Sequence, residues 1–241
     1  MESPSKTAMD NRQKAQKPHH ILTNLGFNII IPTVILTKLS GEDYLGPVYA
    51  IVIALAFPIV YGLKDFVDTK KPNLFSILGV FSVFMTGGMS LLELDPKYIA
   101  IKEAAIPAIF GLATLYSMRT RYPLIKTFLF NDQVLQIDKV HQALATHNTE
   151  KTFEKKLNNA SFMVAGSFFL SSVLNYILAK VILVSEPGSV AFTEELGKMT
   201  ALSFPVIALP STLVLFAALF YLLHHIKKLT HLETEQIFNE L

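Results

Sequence analysis

Six times along the chain an apolar run reaches the length needed to cross a bilayer, and no other feature constrains the fold as tightly. A helix crossing the roughly 30 Å hydrocarbon core takes about 17–25 residues. Runs of that kind lie near 21–38, 46–63, 73–92, 100–118, 160–183 and 200–223. In lipid every backbone N–H and C=O must be paired within the embedded structure, which leaves helices and closed barrels. Unbroken apolar stretches such as 51–60 and 213–223 do not alternate as barrel strands do. The runs therefore predict an all-α polytopic membrane protein with six transmembrane helices. Lys102 and Glu103 interrupt the fourth.

Composition agrees: 51% of the 241 residues are hydrophobic and 17% charged, against about 25% charged in an average soluble domain. The chain has no cysteine, which removes disulfides, thiolate metal sites and cysteine nucleophiles from consideration. A net charge of +2 carries no nucleic-acid signal. There is no phosphate-cradling glycine loop, zinc-protease histidine pairing or serine elbow, so the expectation is a non-enzyme without a cofactor. His224, His225 and His231 cluster near the C-terminus. They lack the further ligands a metal site needs, and histidines suit a helix C-terminus electrostatically.

Basic residues set the expected orientation, because they concentrate in cytoplasmic loops. One side would hold Lys6, Arg12, Lys14, Lys17, Lys64, Lys70, Lys71, Arg119, Arg121, Lys126, Lys139, Lys151, Lys155, Lys156, Lys227 and Lys228, sixteen of the 21. The other would hold only Lys38, Lys97, Lys102, Lys180 and Lys198. Both termini are thus expected in the cytoplasm. With no tryptophan, the interfacial aromatic belt falls to tyrosine: Tyr44, Tyr49 and Tyr98 outside, Tyr61, Tyr116, Tyr122 and Tyr221 inside. Residues 1–20 are polar and lack the features of a signal peptide, so they read as a disordered cytoplasmic tail.

The expected organisation places four spans in 21–118, a cytoplasmic amphipathic connection in 119–159, two spans in 160–225 and a cytoplasmic tail in 226–241. From Gln133 to Leu157 the pattern suits one amphipathic helix, with Val134, Ile137, Val140 and Leu144 near one face. Arg119, Arg121, Lys126, Lys155 and Lys156 are candidates for contact with a partner or with anionic lipid, against the plainer reading of a linker helix on the membrane. Lys102, Glu103, Ser171, Asn175 and Asn28 are the candidate polar groups at membrane depth, where such residues are costly. Ser167, Ser171 and Asn175 share a helical face, as do Asn24 and Asn28. Either set can line a cavity or pack helices together. Prolines 32, 58, 107, 205 and 210 interrupt four spans. Tyr61, Gly62 and Leu63 before Lys71, Pro72 and Asn73 echo Phe110, Gly111 and Leu112 before Tyr122, Pro123 and Leu124, the pattern of a duplicated helical hairpin.

A longer ordered pattern resembles a known family. Gly87, Gly88, Met89, Ser90 and Leu91 precede an acidic loop with Asp95, then Tyr98, Ile99 and Lys102, and a basic turn ending Tyr122, Pro123, Leu124 and Ile125. Lys156, Leu157 and Asn158 follow, then Asn175 to Ala179, then Gly197. Over roughly residues 60–225 this order resembles the septation protein A family, also called intracellular septation or inner membrane-spanning proteins, as a distant branch. Gly87, Gly88, Lys102, Pro123, Asn158 and Asn175 match family positions. The chain departs in its longer polar N-terminus, longer connection, longer last outer loop, lack of tryptophan, and Asn28 where an acidic residue is expected before Pro32. The resemblance implies a bacterial inner-membrane protein supporting envelope biogenesis or cell division without catalysis. The resemblance implies division or wall-synthesis membrane proteins as partners; the apolar runs add the lipid bilayer, and further copies of the chain are another candidate. The alternative from the residues is a small transporter or channel for an ion, lipid or small solute.

Overall fold

The computed structural model describes residues 26–69, 74–120, 123–125 and 135–239. The expected N-terminal tail, Asn24, Arg121, Tyr122, Lys126, Val134 and the corner residues Lys71, Pro72 and Asn73 lie outside them. The helices are α1 (Ile31–Lys38), α2 (Gly46–Thr69), α3 (Leu74–Leu91), α4 (Pro96–Ser117), α5 (Ile137–Thr146), α6 (Glu150–Ile182), α7 (Val190–Ser203), α8 (Leu209–Thr230) and α9 (Thr234–Ile237). Among the described residues there is no strand, only an isolated antiparallel bridge between Leu135 and Phe238.

Four helical stretches are long and apolar enough to cross a membrane: Gly46–Lys64, Pro96–Ser117, Glu150–Ile182 and Val190–Thr230. The apolar helices Gly26–Lys38 and Phe81–Leu91 are shorter. Large apolar side chains face outward on these helices, with Phe84 68% exposed, Phe220 66% and Tyr116 74%. Apolar surface on that scale marks a lipid or protein contact, since a soluble monomer rarely exposes it.

Proline decides where the helices leave regular geometry. Gly26–Ile30, just before α1, and Phe204–Ala208, between α7 and α8, are π-helical turns. Each is followed two residues later by a proline, Pro32 and Pro210, and the second also contains Pro205. Proline has no N–H to donate and crowds the preceding turn, so the hydrogen-bond ladder slips by one residue there. Pro58 and Pro107 are carried inside α2 and α4.

The chain forms two compact units. The first takes the chain up to Leu94 with Leu183–Ala201. In it Phe27 lies 6.2 Å from Phe57 and 6.0 Å from Tyr61, ring to ring, holding the turn before α1 on α2. Gly87 of α3 lies against Leu55 of α2. Gly197 of α7 lets α1 approach so closely that a Cβ there would sit 2.7 Å from Thr37 Cγ2 and 2.9 Å from Leu36 Cβ. Beyond α3, Glu93 adopts a left-handed conformation (φ 52°). Leu94 N–H donates to the Met89 carbonyl at 3.0 Å and Glu93 N–H to that of Ser90 at 3.1 Å, the paired bonds of a Schellman cap. Glu194 and Glu195 belong to α7. The Glu195 carboxylate accepts from Val184 N–H (2.9 Å), Ser185 N–H (3.0 Å) and the Ser185 hydroxyl (2.6 Å), holding the loop that leads into α7.

The second unit takes Asp95–Ile182 with Leu202–Leu241. Asp95 caps α4, its side chain accepting the Lys97 N–H at 2.9 Å, and Pro96 begins the helix where its missing N–H costs nothing. Antiparallel α4 and α6 form the main helix pair. Phe110 stacks on Phe168 at 5.6 Å, and Gly111 admits the Phe169 ring to 3.0 Å of where a Cβ would stand.

The expected single helix through 133–157 is two. α5 stops at Thr146, Asn148 turns left-handed (φ 55°), and α6 starts at Glu150. Asn148 N–H donates to Ala145 and Thr149 N–H to Leu144, a Schellman cap with asparagine in the position usually held by glycine. Asparagine tolerates that conformation better than other side-chain-bearing residues, which makes it a stop signal in an otherwise amphipathic pattern. α6 then runs without interruption into the fifth apolar run.

Candidate functional site

Two places gather the residues that could carry function, and both lie within the second unit. The first is on α4, where Lys102 Nζ and Glu103 Oε1 are 2.6 Å apart with side chains 10% and 23% exposed. Lys102 is six residues into the helix, about 9 Å along its axis at 1.5 Å per residue. Across from it, the Ser172 hydroxyl of α6 donates to the Ala104 carbonyl at 2.8 Å. The antiparallel register fixed by that bond puts Ser171, Ser172 and Asn175 on the turns of α6 level with Lys102 and Glu103.

Most of the hydroxyl and amide groups at this level are spent on α6 itself. Asn175 Nδ2 donates to the Ser171 carbonyl at 2.8 Å and lies 3.4 Å from its hydroxyl. Ser167 donates to the Val164 carbonyl at 2.7 Å. These bonds satisfy polar groups without help from water, as a lipid environment demands. Asn28, the remaining candidate, is part-buried in the first unit.

The second place is a small packed head. Val140 and Leu144 of α5, Phe153, Leu157, Ala160 and Val164 of α6, and Ala218, Leu222 and Ile226 of α8 form one buried cluster. Ile125, Leu135 and Ile237 close it. Polar bonds stitch the same parts together: the Thr149 hydroxyl donates to the Leu229 carbonyl at 3.0 Å, and the His147 and His231 rings meet edge-on at 4.8 Å. Residues between Leu135 and Val164 and between Ala218 and Ile237 thus contribute the two halves of one core. Sequence reading treated them as a connection and a tail because their contacts span some 80–100 residues. The visible signal was the four-residue recurrence Ala218, Leu222, Ile226, matching that of Val140 and Leu144, and a lone Ile237, Phe238 pair in a polar ending.

The expected contact residues sort unevenly. Arg119 and Lys155 are exposed. Lys156 lies over the Tyr221 ring at 6.0 Å, and Tyr221 also receives Asn159 Nδ2 at 3.1 Å and lies 4.3 Å from the His225 ring. Tyr221 therefore serves the head. Tyr44, Tyr49, Tyr98 and Tyr116 point outward as belt residues do. On the head's surface Lys139, Lys151, Lys155, Lys227 and Lys228 are exposed alongside Asp138, Glu150, Glu154, Glu233 and Glu235. Among the described residues that surface carries both signs of charge. Among the described residues no three His, Cys, Asp or Glu side chains converge as metal ligands would.

Just ahead of α4, the Asp95 carboxyl has a displaced titration. The Lys97 N–H, and then the Lys97 ammonium at 3.0 Å, hold its carboxyl below the usual carboxylate range. Compared with known proteins, the chain matches no family model, no curated protein and no solved structure.

Proposed function

We propose that this chain is a six-helix inner-membrane protein with both termini in the cytoplasm, which acts without catalysis by binding membrane-protein partners through its head. The observation that carries the reading is the head itself: a closed apolar core under exposed side chains of both charges among the described residues. Such a surface suits protein contact, where rim charges set specificity and approach. The six spans rest on the four long apolar helices, the two shorter ones, and the concentration of lysine and arginine in alternate loops. The resemblance to septation protein A gives the partners their class, division and wall-synthesis membrane proteins.

The test is cross-linking in native membranes followed by mass spectrometry of the extracted complex. Recovery of division or wall-synthesis proteins, lost in the surface variant Lys151→Glu/Lys155→Glu while the head core is untouched, supports the scaffold. Recovery of the chain with no such protein overturns it.

One observation favours a second reading, a small transporter or channel for an ion, lipid or small solute. It is the paired Lys102 and Glu103 inside an apolar helix, since ionisable residues at that depth commonly mark a pathway. A retained small molecule that Lys102→Ala releases would establish it against the scaffold.

A further inference from the structure

Where the apolar run of α6 begins and that of α8 ends, polar side chains from both helices meet. The fifth run starts at 160 and the last ends at 223, so Lys156 and Asn159 on one helix and Tyr221 and His225 on the other stand at one boundary. Their contacts show that they are level. Asn159 Nδ2 donates to the Tyr221 hydroxyl at 3.1 Å, Lys156 Nζ stands 6.0 Å from the Tyr221 ring centre, and the His225 ring lies 4.3 Å from the same ring. His225 Nδ1–H donates to the Tyr221 carbonyl at 2.8 Å, since a carbonyl only accepts.

This group keeps donors to spare for an anion. The Tyr221 oxygen accepts from Asn159, which leaves its own O–H to donate, and the Asn159 amide has a second hydrogen. Lys156 enters none of the ion pairs formed among the described residues, and its ammonium carries three donors.

On the two helices the charge facing the group has one sign. α8 carries no acidic residue. Those of α6, Glu150 and Glu154, lie roughly 120° and 160° round the helix from Lys156 at 3.6 residues per turn. Lys228 is exposed and, seven residues after Tyr221, returns to its face. On the apolar side of the boundary, Phe162 and Gly166 of α6 are exposed on the face of Asn159. No atom stands within 4 Å of a Cβ position at Gly166, so that face has a shallow recess below the polar group.

We propose that Lys156, Asn159, Tyr221 and His225 bind the phosphate of an anionic phospholipid whose acyl chains lie against Phe162 and Gly166. Basic pockets between membrane helices hold anionic headgroups in this way, and the order of surfaces, cationic at the boundary and apolar below it, matches the order of groups in such a lipid. The proposal rests on α6 and α8 being spans and is independent of any protein that the head binds.

The test uses the full chain purified in a zwitterionic detergent and given equal amounts of phosphatidylglycerol and phosphatidylcholine with matched acyl chains. Native mass spectrometry counts each lipid retained. The expected result is a several-fold preference for phosphatidylglycerol that Lys156→Gln brings toward parity. Lys139→Gln, which removes the same charge from α5, leaves the preference in place. Tyr221→Phe keeps the ring, removes only the hydroxyl, and lowers the preference measurably.

Equal retention of the two lipids by the unaltered chain overturns the site while leaving the spans intact, whereas retention of neither overturns both. A preference that survives Lys156→Gln and Tyr221→Phe, or that falls as far with Lys139→Gln, overturns it as well. Displacement of phosphatidylglycerol by excess inorganic phosphate would show that the site takes phosphate alone and would overturn the lipid assignment.

Discussion

The Ser172 hydroxyl of α6 donates to the Ala104 carbonyl of α4 at 2.8 Å, joining residues 68 apart in sequence at the level of the Lys102–Glu103 pair. Interhelical bonds of this type in membranes contribute about 0.6 kcal/mol on average. Ser172→Ala is expected to lower unfolding free energy in detergent by roughly that amount. A loss of about 3 kcal/mol or more would show that the bond organises more than the pair it joins.

The Lys102–Glu103 pair gives a sharper expectation. Removing one member of a largely buried pair leaves an uncompensated charge and costs about 3–5 kcal/mol, whereas replacing both with apolar residues is often neutral. Lys102→Leu should therefore destabilise more than Lys102→Leu/Glu103→Leu. A double variant as unstable as the sum of the two singles would contradict this, and unfolding of all four chains of the cycle measures it.

Helix packing predicts a contrast between two glycines. A Cβ at Gly197 would press on Leu36 and Thr37, so Gly197→Val should cost about 1–3 kcal/mol through overpacking. Gly166 has nothing within 4 Å of a Cβ position, and Gly166→Ala should leave the melting temperature unchanged or raised. Thermal unfolding in one detergent compares them directly.

Core truncation in the head should be felt at the far end of the chain. Leu144 is fully buried among α6 and α8 residues, and Leu144→Ala is expected to cost about 2–5 kcal/mol. Limited proteolysis should then cut after Lys227 or Lys228 much faster than in the unaltered protein. Unchanged cleavage would mean that the C-terminal residues are held independently of α5.

The Asp95 cap carries a pH dependence of fixed sign. Its carboxyl is held below its ordinary value in the folded chain, so its contribution is fully present above the unfolded value near 4 and is lost as pH falls through the lower folded value. Asp95→Ala should melt below the unaltered protein at pH 7, with the gap closing as pH drops toward about 3. A gap that widened on acidification would rule out this role.

How much of this was legible beforehand differs by element. The middle of each long apolar helix was, because burial in lipid imposes one composition on every face of it. Its ends were not: α6 begins ten residues before its apolar run and α7 ten before the last, since helical hydrogen bonding continues through polar residues that hydropathy ignores. Of the site, Lys102 and Glu103 were visible as charges in an apolar stretch, and Asn148 was visible in principle as a left-handed stop. The head was hidden because half its core is contributed by residues about 80 positions away, each half looking like an ordinary amphipathic fragment alone.

At 33 residues, α6 is about 50 Å long, against a hydrocarbon core of about 30 Å. As a span, a helix of that length would carry about 20 Å beyond the hydrocarbon as one continuous rod. The head core is built on two long apolar helices, α6 and α8, with no loop between it and either of them. Lys151 and Lys155 therefore stand on the same unbroken helix as Ser172 and Asn175, so a load on the head would reach those turns along a single rod.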